Sequence, residues 1–170
     1  NIKGRFTAMR NKLLLALLLG LCSLASQANN NDFAEPVNVS SDNFDGSVKE
    51  KKLVYLGNVL VTQGSLKIKA ERLEVDSSKG QGKEVFIASG TPASYSQVLD
   101  GDKPIEAMAN EIRYDVATRV LTLTGNAEIN QSGSVVKSAK IQYDLAQQKL
   151  NAEGGKDTQR VSTVFIPEKN

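Results

Sequence analysis

Of the side chains that most often do chemistry, the sequence offers one cysteine, Cys22, and no histidine. That removes Ser-His-Asp and Cys-His nucleophilic sites and leaves the usual zinc sites without ligands, so no catalytic residue and no metal site are expected. Acid–base work is left to carboxylates alone. Three aspartates recur at one place in a pattern, closing Leu73-Glu74-Val75-Asp76, Ile112-Arg113-Tyr114-Asp115 and Ile141-Gln142-Tyr143-Asp144. Each ends an apolar–x–apolar strand segment, where an Asp side chain is suited to start a turn through its own backbone. No close acidic pair stands out from these turn aspartates, which argues against a β-solenoid carbohydrate-active enzyme working through Asp and Lys. The expectation is a binding protein with no enzyme activity and no cofactor.

The elements that hold such residues begin after a leader. Residues 1–8 precede Met9 and read as upstream sequence. Arg10 and Lys12, the apolar run Leu13–Leu21 and Ser26-Gln27-Ala28 then make a basic start, a short apolar stretch and a small-x-small site. Cleavage near Ala28, before Asn29, is expected, with residues 29–170 as a single domain. An uncleaved anchor is disfavoured because the apolar run is about half the ~20 residues a spanning helix needs. Lipoprotein processing at Cys22 is disfavoured because Leu21 is not small.

Losing the leader removes four basic residues and no acid, leaving 17 basic and 19 acidic side chains. A net charge of −2 gives no electrostatic support for nucleic-acid binding, and no such partner is expected. Cys22 leaves too, so no disulfide supports the fold in the oxidising destination.

Beyond Asn29 the chain reads as strands. Leu53–Thr62 is rich in β-branched and apolar side chains, Gln63-Gly64-Ser65 offers a turn, and Leu66–Ala70 alternates with period two, as Leu121–Thr124 does. Ala107–Tyr114 is the nearest to a helical pattern. A strand end closing on glycine recurs at Leu53–Gly57, Phe86–Gly90, Leu121–Gly125 and Leu150–Gly154, with the glycines 33, 35 and 29 residues apart. Gly57-Asn58-Val59 and Gly125-Asn126-Ala127 match at an offset of 68 residues, which is also the offset of Asp76 and Asp144. A stack of strand–turn–strand units is expected, with the glycines at sharp bends or close contacts. An ordinary antiparallel sandwich is the plainer alternative.

Apolar residues at period two, among them Val37, Val39, Val59, Val61, Ile68, Ile112, Tyr114, Leu121 and Leu123, point to one side of such a sheet. Most simply fill a core. With aromatics at only 5%, a folded-over sheet with this aliphatic interior is also suited to alkyl chains, each CH₂ contributing roughly 0.8 kcal/mol. Lys49, Lys51, Lys52, Lys67, Lys69 and Arg72 form a basic segment, read first as a solvated, edge-protecting face and second as a site for phosphate or anionic sugar. The end strands, Val37–Val39 and Val161–Ile166 with Val164 between, are either capped within the monomer or open edges for β-augmentation by a second copy or a partner, in an open head-to-tail series.

Leu53–Asp76, with Gly57-Asn58-Val59-Leu60-Val61-Thr62-Gln63-Gly64 followed by Ile68, Ala70 and Leu73, resembles the signature of the OstA/LptA family. Gln81–Val85, Gly90-Thr91-Pro92-Ala93, Gly101–Glu106 and Leu121–Ala127 continue it in order, so that the resemblance covers residues 35–167. The resemblance implies an all-β fold, a twisted, folded-over antiparallel β-jellyroll, in the periplasm of Gram-negative bacteria. It implies lipopolysaccharide carried with its acyl chains inside the groove, and head-to-tail oligomers bridging inner-membrane LptC and the N-terminal domain of outer-membrane LptD. By local match, the lipid-facing positions implied are Val37, Val39, Tyr95, Tyr114 and Val116. Tyr95 stands where the family commonly has Phe, adding a hydroxyl that needs a partner. A structural adaptor of the same machinery, without lipid carriage, is the alternative.

Overall fold

The computed structural model describes residues 31–99, 102–156 and 159–167. The expected leader and its cleavage site lie outside them. Apart from a short 3₁₀ turn at Asp32–Ala34, the regular structure described is strand: β1 (Asn38–Ser40), β2 (Asn43–Ser47), β3 (Lys52–Gln63), β4 (Leu66–Asp76), β5 (Val85–Leu99), β6 (Lys103–Asp115), β7 (Val120–Gln131), β8 (Ser134–Asp144), β9 (Lys149–Glu153) and β10 (Ser162–Val164). All ten join one antiparallel sheet in which β3 to β8 are neighbours in chain order. β1 and β2 share the outer edge of β3, and β9 and β10 share that of β8. Ala107–Tyr114, the stretch nearest to a helical pattern, lies within β6, laddered to β5 and β7, in line with the reading of the chain as strands.

The glycines are where the expectation needs correction. Gly57, Gly90 and Gly125 do not end strands; they interrupt β3, β5 and β7 midway, at breaks in register against the neighbouring strands. Gly57-Asn58 and Gly125-Asn126 adopt nearly the same left-handed pair, with φ of 78° and 47° and of 80° and 47°. Each bulge gives its strand one residue more than its partner and bends it. Side by side the bulges draw a fold line across the sheet, dividing it into an upper half, ending on the 63–66 and 131–134 turns, and a lower half, ending on the 76–85, 115–120 and 144–149 turns.

Crossing that line also resets which side chains point inward. In β4 the buried set runs Leu66, Ile68, then Leu73, Val75; in β6 it runs Ile105, Ala107, Ala109, then Ile112, Tyr114. The reversal falls in β4 and β6, opposite the extra residue of β3 and β7. The inward set of β7 itself stays in phase, from Leu121 and Leu123 to Ala127 and Ile129, so both halves turn an apolar face to the same interior. Val61, Leu66 and Ile68 of the upper half meet Phe86 and Tyr114 of the lower half around a void of only about 10 Å³. The sheet is therefore folded over on itself, the expected all-β architecture.

The turn aspartates behave as their spacing implied. Asp76, Asp115 and Asp144 each accept, on Oδ1, the backbone N–H of Ser78, Thr118 and Gln147 at 2.9, 3.0 and 2.8 Å. Arg119 and Gln148 close the last two turns in the left-handed region, at φ 57° and 53°.

Candidate functional site

The interior between the two halves is the one extended apolar surface shared by every long strand. Val59, Val61, Ile68, Tyr95, Ile112, Tyr114, Leu121 and Leu123 all lie there, each buried. Alternation on β3, β4, β5, β6 and β7 puts them there, and the fold line keeps the two sets face to face. Val39 sits half-buried on β1 opposite Val61, and Val116 half-buried just after β6, both packed on this core. Val37 is different: it precedes β1 and is exposed, bordering the small void at the mouth. So the site residues expected from the sequence fall into a closed set inside and a smaller set, Val37, Val39 and Val116, around its margin.

Electrically the interior is neutral. Burial pushes the Tyr114 hydroxyl up to about 12, against a smaller opposing effect of Arg119, and it raises Tyr95 and Tyr143 in the same direction. All three phenols stay protonated at physiological pH. The Tyr114 hydroxyl has no hydrogen-bond partner. The Tyr95 hydroxyl does find one, donating to Gln97 Oε1.

Gln97 belongs to a polar cluster that pattern reading missed. Its Nε2 donates to Asp32 Oδ2 at 2.9 Å. The same carboxylate accepts the Ser65 N–H at 2.9 Å and the Ser65 hydroxyl at 2.5 Å. Burial alone would raise the Asp32 carboxyl, but these hydrogen bonds outweigh it and hold the group below the ordinary carboxylate value. Asp32 lies 33 residues from Ser65 and 65 from Gln97, so no local motif announces the contact.

At the edges, Val161, Val164 and Ile166 are exposed, as is Phe165 beside them. β10 pairs through Ser162–Val164 with Lys137–Val135 of β8, leaving its outer side unpaired among the described residues. The basic segment is a mixed face: Lys52 and Arg72 both approach Glu74, at 3.5 and 3.4 Å. Lys67 and Lys69 border a hollow of about 440 Å³ that is also lined by Glu106 and Glu128. With acid and base interspersed, this surface fits the solvated role better than an anion site. No cluster of three or more metal-ligating side chains occurs among the described residues.

Comparison with known proteins agrees with this architecture. Residues 38–149 match the family model described as LptA/(LptD N-terminal domain) LPS transport protein. The lipopolysaccharide export system protein LptA of Haemophilus influenzae is 37% identical over 159 residues, covering 92% of each chain. That of Escherichia coli K12 is 38% identical over 162 residues, covering 92% of this chain and 87% of the relative. The crystal structure of LptH from Pseudomonas aeruginosa, described as the LptA homologous periplasmic component of a lipopolysaccharide transport device, superposes with a TM-score of 0.73 at 29% identity. It covers 80% of this chain and 99% of LptH. The chain belongs to the LptA/LptD N-terminal domain family of lipopolysaccharide transport proteins.

Proposed function

We propose that this protein binds lipopolysaccharide, holding the lipid A acyl chains between the two halves of its folded sheet, and passes it across the periplasm from the inner to the outer membrane. The observation that carries the reading is the interior itself, aliphatic, uncharged and running through all six long strands from one edge of the sheet to the other. Transfer of alkyl chains into such a space is favourable by roughly 0.8 kcal/mol per CH₂ without a charged anchor. Val59, Val61, Ile68, Tyr95, Ile112, Tyr114, Leu121 and Leu123 would contact the chains, with Val37, Val39 and Val116 at the margin. Where Val61 and Ile68 face Phe86 and Tyr114 the space admits no more than about one water, so the halves part there when lipid enters.

The same reading makes residues 29–170 the secreted domain, released by cleavage near Ala28. Its two open edges, Val37 and Val39 at one and Val161, Val164 and Ile166 at the other, join copies head to tail. The terminal copies meet inner-membrane LptC and the N-terminal domain of outer-membrane LptD. The chemistry is binding and transfer of the lipid, with no bond made or broken.

A photo-crosslinking residue at Val39 or Tyr114 should capture lipopolysaccharide in cells. Capture at outward-facing positions alone would contradict the groove. Protein that joins its membrane partners normally yet never takes up lipopolysaccharide would favour the adaptor reading.

A further inference from the structure

The β3–β4 turn is shaped as a seat for the segment that precedes β1. All three of its residues engage that segment. Gln63 Nε2 donates to the carbonyls of Phe33 and Glu35, at 3.4 and 3.1 Å. Ser65 holds the Asp32 carboxylate with both its N–H and its hydroxyl. Gly64 leaves the space between, because a Cβ there would run into the Asp32 carboxylate and come within 3.0 Å of its Cα. Gln97, on β5, supplies the fourth anchor.

The next residue reaches the other side of the molecule. The Phe33 ring packs on the core, and the Arg119 guanidinium lies 4.2 Å above its centroid. Arg119 stands on the β6–β7 turn, which belongs to the lower half, whereas Ser65 and Gln97 belong to the upper half. A single 3₁₀ turn thus fastens both halves of the fold at its mouth. Asp32 is nearly inaccessible there, 6% exposed, and is the one buried carboxylate among the described residues.

We infer that Asp32-Phe33 is a strap that holds the groove shut, and that Gln63, Ser65, Gln97 and Arg119 are its positioning residues, released when acyl chains enter. The inference rests on the groove reading above. Its physical basis is competition: the halves must part to admit alkyl chains, and the strap is bonded to both. A protein whose open form is fractionally populated binds with an affinity reduced by that fraction. Weakening the strap therefore raises affinity, and fixing it abolishes binding.

The test uses the secreted protein, residues 29–170, which contains no cysteine of its own. Phe33→Cys and Arg119→Cys are introduced together and joined by a short bis-maleimide. Binding of purified lipopolysaccharide is then compared with that of each single-cysteine protein carrying the same reagent. The joined protein should lose binding by about tenfold or more, while Arg119→Ala and Gly64→Ala should each bind several-fold more tightly than the parent. Gly64→Ala displaces the strap sterically and Arg119→Ala removes only the lower contact, so agreement between them excludes a general loss of folding. Unchanged binding in the joined protein, with lipopolysaccharide still captured by a photo-crosslinker at Tyr114, would overturn the strap and leave the groove intact. Capture confined to outward-facing positions in every variant would overturn both.

Discussion

The two ends of the sheet are built on the same hairpin and finished in opposite ways. β3–β4 and β7–β8 share the left-handed Gly-Asn bulge, the turn aspartate and the 68-residue offset. At the first, the rim turn receives Asp32, a carboxylate bonded to Ser65 and Gln97. At the second, the rim turn receives Ile166, whose Cδ1 lies 3.4 Å from where a Cβ on Gly133 would stand. Asp32 is buried and hydrogen-bonded, while Ile166 is 61% exposed beside the exposed Phe165 and Val164. Both ends keep an edge strand with an unpaired outer side among the described residues. The first has its rim turn filled by a buried, hydrogen-bonded carboxylate and the second by exposed apolar side chains. In the proposed function the repeated hairpin supplies the groove, and the non-repeated flanks finish its two rims differently, one closing the interior and one adding apolar surface to the edge that meets another copy.

The equivalence of the two bulges is the part of this comparison that mutation can break most strongly. Gly125→Ala and Gly57→Ala each force a side chain into the left-handed region, and each new Cβ falls 2.8 or 2.7 Å from a neighbour, Asn110 or Asp42 respectively. Asn110 lies inside the central strand β6, whereas Asp42, bonded to the Gly57 carbonyl and to Asn58 Nδ2, lies between the short edge strands β1 and β2, where the backbone relaxes at less cost. Gly125→Ala should therefore cost about 2–4 kcal/mol and Gly57→Ala about 1–2, measured by urea unfolding. Equal costs would mean that the two bulges carry the same constraint despite their surroundings.

Acidic substitutions sharpen the difference between the flanks. Val164→Asp with Ile166→Asp should weaken self-association by about tenfold or more in sedimentation analysis, and shift stability by no more than about 0.5 kcal/mol, because these side chains are exposed in the monomer. Charges at the Asn38 and Ser40 positions on β1 should give the same association defect if the two edges pair with one another.

The smallest expected effect is a pH dependence confined to the first flank. The Asp32 carboxyl is held below its ordinary value of 3.8, so the stabilisation it gives is fully present above that pH and is lost as pH falls through the lower, folded value. The Ser65 amide resonance should follow this titration with a midpoint below 3.8, and Asp32→Asn should abolish the transition. A midpoint above 3.8 would contradict the hydrogen-bonded arrangement of Ser65 and Gln97 around the carboxylate.

How much of this could be read from the sequence follows the distance over which each interaction acts. The turn aspartates depend on contacts two or three residues away, and their role was visible in the spacing of Asp76, Asp115 and Asp144. The Gly-Asn pairs were visible as repeats, but their place was misread. An apolar run that ends on glycine looks like a strand end, and only the pairing of Val59 with Ala70 beyond Gly57 shows that the strand continues. Inward positions such as Leu121 and Leu123 followed from alternation, whereas the reversal of alternation at the fold line in β4 and β6 needs the register of neighbouring strands. The Asp32, Ser65 and Gln97 cluster and the Phe33–Arg119 contact join segments far apart in the chain, and nothing local marks them.

The central claim, that acyl chains occupy the space between the two halves, is tested most directly by alternation along a single strand. A photo-crosslinker placed in turn at Ile112, Arg113 and Tyr114 of β6, and at Leu121, Thr122 and Leu123 of β7, samples the inner and outer faces one residue apart. Lipopolysaccharide should be captured at Ile112, Tyr114, Leu121 and Leu123 and not at Arg113 or Thr122. Capture at Arg113 and Thr122 with none at their neighbours would place the lipid on the outside of the sheet and contradict the groove.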